Sequence, residues 1–587
     1  MWILRIDMKD RTYALETPPE KYHQLAGRGL TSTLIYDEVD PMCHPLGPNN
    51  KLVIAPGLLA GTSAPTSARL SVGAKSPLTG GIKEANAGTR FASSLGKMQL
   101  KAIIVEGQPE EKGQYWLAHI KLGANGKPQV EFTAADTYTG RELYSVYEEL
   151  YEHFGDKVDV AAIGTAGELG YGDSGVAFND MKNKPTRYSG RGGLGAVMGS
   201  KGLKAIVLDP AGAPGVEIAN EALFKEGVKK MREALMEHAI TKPKGGLNTY
   251  GTAILINILN EAGGLPTHNF RTGRFEGAAK IAGEAIFETN KKRLGKELYN
   301  HACSPGCIIQ CSNTLYDENG EEIVSCVEYE SDWAFGANCG IDDLDAIGKL
   351  VKLCNAYGLD TIETGDVVAV AMDSGVIEFG DVEGALNLVE QIGQGTPMGR
   401  ILGGGTAFAA KAFGNPRAPA VKGQGMPAYE PRAVKGIGVT YATTTMGADH
   451  TAGYTIAPEI LSVGGSSDPL ASEKGKADLS RAFQSTTALI DSSGHCLFIA
   501  FAILDIPTGF EGMIDEINGI LGTEMSGDDA VAMGTEILRR ERAFNEGAGL
   551  TKQDDRLPEF MKYEQLPPHN VTNDLPDEVF DAVYGDL

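Results

Sequence analysis

Apolar positions in the first third of the chain recur with a period of two. Short β-branched or alternating runs occupy residues 2–8, 51–55, 101–107, 115–121, 158–164 and 204–209, separated by Gly, Pro and Asn clusters. This pattern predicts strands. Pro210-Ala-Gly-Ala-Pro-Gly215 reads as a linker, and beyond it the period becomes 3.6. Asn220 is placed to cap a helix whose stripe is Leu223, Phe224, Val228, Met231 and Leu235. A second helix is predicted from Asp343 through Leu344, Ile347, Leu350, Val351 and Cys354, stopping at Gly358. A third starts at Thr361 and reaches about Gly375. Loops are expected over 414–431 and 464–468. The fold class is therefore α+β: a β-rich domain over residues 1–210, then two mainly α-helical domains over 216–420 and 421–587.

Length and composition add bounds to this picture. A chain of 587 residues with 42% hydrophobic and 22% charged residues is globular and long enough for several cores. No signal peptide is read at the start, and the most apolar window, Leu497 to Leu504, is far shorter than the ~18 residues a spanning helix needs. The expected location is the cytoplasm, with no membrane partner. Net charge is −24, from 53 basic and 77 acidic residues, which argues against nucleic acid as a partner. Glycine is in surplus, at 75 residues.

Cysteine distribution is the first chemical clue. Five of the eight cysteines fall between Cys303 and Cys339, and such clustering outside a secreted framework points to metal or redox chemistry. Cys303-Ser-Pro-Gly-Cys307-Ile-Ile-Gln-Cys311 offers three thiolates for one corner of an iron–sulfur cubane. Pro305-Gly306 argues against one continuous helix carrying all three, so a loop running into one helical turn is expected. Tetrahedral zinc is the alternative, although its usual spacings come as two CxxC-type pairs. The fourth ligand has candidates in Cys326, Cys339, Cys354 and Cys496, among which spacing does not choose. Cys43 reads as a small buried apolar residue.

Two glycine-rich segments follow. Residues 188–204 carry six glycines and three cations, and 69–88 contain Lys75-Ser-Pro-Leu-Thr-Gly-Gly81. Glycines let backbone N–H groups approach an anion, and arginine grips phosphate in a fork. Each segment alone is equally well read as tight β-turns. Together they suggest a phosphate-bearing cofactor on the β-rich domain.

Taken together, the motifs resemble those of the aldehyde:ferredoxin oxidoreductase family, catalytic tungsten subunits that carry tungsten (or molybdenum) on two pterins (tungstopterin) beside a [4Fe–4S] cluster. The likeness runs nearly end to end: Val39-Asp-Pro41, Pro56-Gly-Leu-Leu-Ala-Gly-Thr62, Lys75-Ser-Pro-Leu-Thr-Gly80, Gly190-Arg-Gly-Gly-Leu-Gly-Ala-Val-Met-Gly-Ser-Lys201, Gly264-Leu-Pro-Thr-His-Asn-Phe270, Glu328-Tyr-Glu330, Pro427-Ala-Tyr-Glu-Pro-Arg432 and Gly447-Ala-Asp-His450. By position it implies pterin-phosphate contacts at Arg69, Asn86, Gly88 and Arg191. It implies Mg2+ bridging the phosphates through the carbonyls of Asn86 and Gly192. The paired pterin motif is similar to Asn355-Ala-Tyr-Gly-Leu359-Asp360 and Asp491-Ser-Ser-Gly-His495-Cys496, which makes Cys496 the fourth cluster ligand beside Cys303, Cys307 and Cys311. The implied fold is a β base holding the pterins under two helical domains.

There are departures from the family pattern. The cysteine spacing is C-x3-C-x3-C rather than C-x2-C-x3-C, Asn355 replaces an acid and His495 replaces leucine. No histidine lies between His301 and His450, so the bridging iron of some family dimers is not expected.

The resemblance places Glu330 and His450 beside the metal and Tyr429 facing the substrate. Oxidising an aldehyde to an acid removes two electrons and needs a proton acceptor. Glu330 is the expected base, with burial raising its pKa, and His450 the expected donor to the developing oxyanion. The resemblance implies ferredoxin or a small iron–sulfur subunit as electron partner, with a flavin or NAD subunit behind it, in an oligomer. Lys291-Lys-Arg-Leu-Gly-Lys296 is the expected basic docking patch, against the plainer reading of a solvated helix face. The alternatives are a benzoyl-CoA reductase-like thioester reductase subunit and a non-catalytic iron–sulfur electron-transfer or scaffold subunit.

Overall fold

The computed structural model describes residues 1–472 and 475–585. All six predicted runs are strands, at Trp2–Asp7, Leu52–Pro56, Leu100–Glu106, Trp116–Leu122, Asp159–Ala162 and Leu203–Leu208. Six further strands complete two six-stranded sheets, all before residue 210. The first sheet runs Thr12–Glu16, Trp2–Asp7, Leu100–Glu106, Leu52–Pro56, Arg69–Lys75, Ile82–Gly88. Within it Trp2–Asp7 and Leu100–Glu106 are parallel and the other pairs antiparallel. The second is built the same way, with Leu203–Leu208 parallel to Trp116–Leu122. Both sheets contribute to one apolar core, where Phe91 meets Phe178 edge-on. In the first strand Leu4 and Ile6 enter this core while Ile3 enters another, as alternating strand positions must.

The segment 69–88, read from sequence as a glycine-rich loop, is a β-hairpin. Arg69–Lys75 pairs with Ile82–Gly88 in continuous register from Arg69↔Gly88 to Lys75↔Ile82. Leu70, Val72, Ala74, Ala85 and Ala87 enter the sheet core and alternate with Arg69, Ser71, Gly73, Glu84 and Asn86, but the interspersed glycines and Lys75-Ser-Pro77 read from sequence as turns.

Beyond the linker the chain is mostly helical. Helix Glu221–Glu237 is capped by Asn220, whose side chain accepts from Leu223 N. Helix Leu344–Tyr357 starts at Asp343 and stops at Gly358, a left-handed residue with φ of 77°. Helix Thr361–Asp373 follows, capped by Asp360. A single core continues across residue 420, with Leu402 and Ala409 on one side and Met426 and Val434 on the other. Helices Glu221–Glu237 and Pro507–Leu521 cross at glycines. A Cβ at Gly227 would lie 2.6 Å from Glu516 N, and one at Gly512 2.8 Å from Met231 N. Part of the glycine surplus therefore serves backbone-to-backbone packing rather than a cofactor. Among the described residues no single helix is long and apolar enough to cross a membrane.

Candidate active site

A cavity of about 380 Å3 opens between the first sheet and the helical part of the chain. Its floor is the hairpin. Glu84, Asn86 and Gly88 are alternate positions of one strand and all reach the cavity. Arg69, paired across from Gly88, donates from Nε to Asn86 Oδ1 and from Nη1 to Cys496 Sγ at 3.7 Å. A Cβ on Gly88 would sit 3.0 Å from Arg69 Nη1 and 3.1 Å from Cys303 Sγ, so glycine lets these groups converge without displacing one another. Arg28 also reaches the floor, 3.4 Å from Asp491. Burial raises Asp491 to about 6, against the charges of Arg28 and Arg69.

The second glycine segment is a strand, Arg187–Ser189, a turn over 190–193, and a helix, Leu194–Ser200. Gly192 and Gly193 have φ of 86° and 76°, a region favouring glycine. The two segments lock together. Ser76 Oγ at the hairpin tip donates to Gly192 O at 2.7 Å, and a Cβ on Gly193 would meet Pro77 Cγ at 2.6 Å. Arg191 reaches the cavity, but its guanidinium is committed to protein. It donates from Nη1 to Ala448 O and from Nη2 to Gly425 O, each at 2.7 Å, and from Nε to Asp360 Oδ2 at 3.1 Å. Those bonds dock the loops before Glu430 and His450 onto the base.

Glu330 and His450, 120 residues apart in sequence, meet on the helical wall. Glu330 sits in the first turn of helix Tyr329–Phe335. Its Oε2 accepts from Ala428 N at 2.9 Å, while Oε1 lies 3.3 Å from His450 Nε2 without an aligned hydrogen bond. His450 Nδ1 has no partner either. Burial pushes Glu330 up to about 8, and burial pushes His450 down to about 4, where the Arg191 and Lys83 charges also act against the attraction of Asp449. Tyr429 packs beside His450 and shares a 3.0 Å hydroxyl–hydroxyl bond with Tyr454. Tyr329 packs at a tilt against Tyr429, with ring centroids 5.3 Å apart, and donates to Ala428 O at 2.6 Å.

Cys303, Cys311 and Cys496 line the same cavity. Cys307 lies against Cys303, and the charges of Cys303 and Cys496 both bear on Cys311. Residues 302–310 form bends and a turn at Pro305-Gly306, with Gly306 at φ 73°. The expected helical turn is absent from this segment, and three cysteines on one helix face are ruled out. Among the described residues no three His, Cys, Asp or Glu side chains enclose a single metal-ion position. A cubane places different demands, since its four thiolates bind four separate irons. Cys303, Cys311 and Cys496 converge beside Arg69, with Cys307 against Cys303, and together they fit that donor set. The orphaned Glu330 Oε1 and His450 Nδ1 fit a wall that awaits a ligand.

Of the remaining expected contacts, Asn355, Leu359 and Asp360 all reach the cavity. His495 does not. It is fully buried, with Nε2 3.0 Å from Glu516 and Nδ1 3.0 Å from Ser493 Oγ, and it points into the helical core. Gly192 is not among the cavity-lining residues, and its carbonyl accepts from Ser76 Oγ. The expected docking patch is partly neutralised: Lys291 pairs with Glu297 at 3.2 Å and Arg293 with Asp345 at 2.8 Å. Glu84, Arg28, Arg187 and Asp449 line the cavity without having been singled out as site residues, and Cys326, one of the candidate fourth ligands, lines it too. Single charged residues in strands and loops read as surface, and only their burial reveals them.

Comparison with known proteins agrees with the motifs. Residues 3–210 match the family described as Aldehyde ferredoxin oxidoreductase, N-terminal domain, and 226–585 match Aldehyde ferredoxin oxidoreductase, domains 2 & 3. The tungsten-containing aldehyde ferredoxin oxidoreductase of Pyrococcus abyssi is 37% identical over 586 residues, covering 96% of this chain and 92% of that protein. An aliphatic sulfonate oxidoreductase, WOR-like subunit, of Pyrococcus furiosus is 25% identical, covering 94% and 87%. The solved active site complex BamBC of benzoyl coenzyme A reductase, in complex with 1,5 dienoyl-CoA, superimposes with a TM-score of 0.78 at 19% identity, over 100% of this chain and 93% of that one. That likeness concerns the fold alone. With both halves matched and relatives of this identity nearly end to end, the chain belongs to the aldehyde ferredoxin oxidoreductase family, a family of oxidoreductases.

Proposed function

We propose that this chain oxidises aldehydes to carboxylic acids at a tungsten (or molybdenum) bis-pterin centre in the cavity. A [4Fe–4S] cluster on Cys303, Cys307, Cys311 and Cys496 would carry electrons to ferredoxin or a small iron–sulfur partner subunit. The observation that carries this reading is the Glu330–His450 pair, 3.3 Å apart with both Glu330 Oε1 and His450 Nδ1 unpartnered. Asn86, Gly88 and Arg69 would hold the pterin phosphates and the carbonyls of Asn86 and Gly192 a Mg2+ ion. Arg191 would hold the adjoining loops in place. When bound, the metal centre would supply a two-electron acceptor and Lewis acid.

The protein's own groups handle the proton. Glu330 Oε1 is free to take a proton from water or an aldehyde hydrate, and its raised pKa suits a general base near neutrality. Its other oxygen is fixed by Ala428 N, which sets the carboxyl's direction. Tyr429, Tyr454 and Tyr329 form an aromatic wall for the organic part of the substrate and exclude water.

Metal analysis of anaerobically purified protein, followed by viologen reduction with benzaldehyde, tests the reading. One tungsten or molybdenum with about four irons per chain and aldehyde-dependent reduction is expected. Iron alone would leave an electron-transfer subunit. Full metal content with benzoyl-CoA as the only reactive partner would move the chain to thioester reduction.

A further inference from the structure

Two arginine charges bear on Cys303, those of Arg187 and Arg69. Arg69 belongs to the hairpin floor. Arg187 begins the strand Arg187–Ser189 and lines the cavity together with Cys303, Cys311, Ser312 and Glu328. Its Nη1 donates at 3.0 Å to the hydroxyl of Ser312, the residue after Cys311, and its Nη2 donates to Cys326 Sγ. Among the described residues, Arg187 Nε is buried without an acceptor. A buried donor left over in a cavity wall fits a group that enters the cavity.

Among the described residues no carboxylate hydrogen-bonds this guanidinium, in contrast to Arg191 with Asp360. Glu328 Oε1 stands 3.9 Å from Arg187 Nη1, beyond hydrogen-bond reach. The Glu328 oxygens accept instead from Thr252 Oγ1 at 2.8 Å and Ser312 Oγ at 3.3 Å. Glu328 is also 28% exposed, which screens its charge, whereas the Arg187 side chain is only 11% exposed. Burial pushes the Cys326 thiol well up, against the pull of Arg187, so that bond does not pair the cation with an anion. A cation held away from water needs an anion nearby. Four thiolates carrying an iron–sulfur cluster supply one, and each electron added there strengthens the attraction.

We propose that Arg187 sets the reduction potential of the cluster held by Cys303, Cys307, Cys311 and Cys496. Its charge favours the reduced state, and Glu328 is the opposing charge. The inference rests on the reading of those four cysteines as cluster ligands. The step concerned is a one-electron transfer: one electron leaves the metal centre and one arrives at the cluster. No bond forms or breaks and no proton moves.

The test is a redox titration of the loaded enzyme, followed through the EPR signal of the reduced cluster, with iron assayed per chain. At the wild-type midpoint, Arg187→Met should lower the reduced-to-oxidised ratio about tenfold, or ~59 mV for a one-electron couple. Arg187→Lys keeps the charge and should stay within about twofold of wild type. Glu328→Gln should raise the ratio about threefold, less than the arginine effect because the carboxylate is partly screened. It also reads out the proposal if Arg187→Met fails to take up iron. Cys326→Ala should leave the ratio unchanged, which separates the charge of Arg187 from its hold on that thiol. An unshifted Arg187→Met with full iron overturns the proposal. So does a Glu328→Gln ratio that fails to rise, or an Arg187→Lys or Cys326→Ala variant that copies Arg187→Met. A wild type with no cluster signal overturns the cluster reading itself, and the proposal with it.

Discussion

Arg28 and Glu541, 513 residues apart in the chain, form a fully buried bidentate pair with bonds of 2.9 and 2.8 Å. The pair joins helix Gly27–Glu38 of the N-terminal domain to helix Gly527–Gly547 near the other end of the chain. Ser32 and Thr445 also donate to Glu541, at 2.7 and 2.6 Å, and Arg28 reaches on to Asp491 at the cavity floor. Arg28→Met should cost about 3–5 kcal/mol, because it strands a buried carboxylate. Replacing both partners, with Glu541→Gln, should cost less. Urea unfolding of the cofactor-free protein measures both, and a double variant no better than the single one would contradict this account.

Glu330 is raised from 4.5 to about 8 by burial. Between those values the folded protein binds a proton that the unfolded chain has lost. The associated stability is therefore full below pH ~4.5 and falls as pH rises towards 8, by on the order of 5 kcal/mol in all. Glu330→Gln should flatten this slope in the cofactor-free protein. In the loaded enzyme kcat should rise with pH up to about 8 in wild type. Glu330→Gln and His450→Ala should each lower turnover strongly with normal tungsten and iron.

Gly192→Ala places a Cβ 2.5 Å from Lys83 Cγ at a φ of 86°. Strain and overpacking together should cost about 2–4 kcal/mol. Gly80→Ala, at φ 75° with nothing within 4 Å, should cost only the conformational part. Melting temperatures rank the two, and released pterin per chain should fall for Gly192→Ala alone.

Cysteine substitutions separate ligand from core. Cys496→Ala and Cys311→Ala should lose most iron. Cys354→Ala should keep it, because Cys354 is fully buried in helix Leu344–Tyr357 and lost packing is its main cost, about 1–2 kcal/mol. Cys326→Ala should also keep iron, since its thiol meets Arg187. Iron assay per folded chain decides.

Local signals in the sequence translated directly into structure. Asn220, Asp343 with Gly358, and Asp360 each end or begin the helix expected of them, because a cap needs only its own neighbouring backbone. The hairpin over 69–88 carries the alternation of a strand, with Leu70, Val72 and Ala74 entering the core, but its glycines and Lys75-Ser-Pro77 gave the stronger turn signal. The cysteine turn was legible in Pro305-Gly306, while the expected helical turn after it did not form.

The sequence by itself determined the α+β order, the change of period near residue 210, and a set of motifs specific enough to name a family. Those features depend on residue type and spacing along one dimension. Only the tertiary structure decided how the motif residues are used. It turned His495 into the core against Glu516, committed the Arg191 guanidinium to holding loops, and brought Lys83 and Asp449 behind His450. Burial and partner choice for a polar side chain are set by contacts hundreds of residues away, and no local pattern in the chain encodes them.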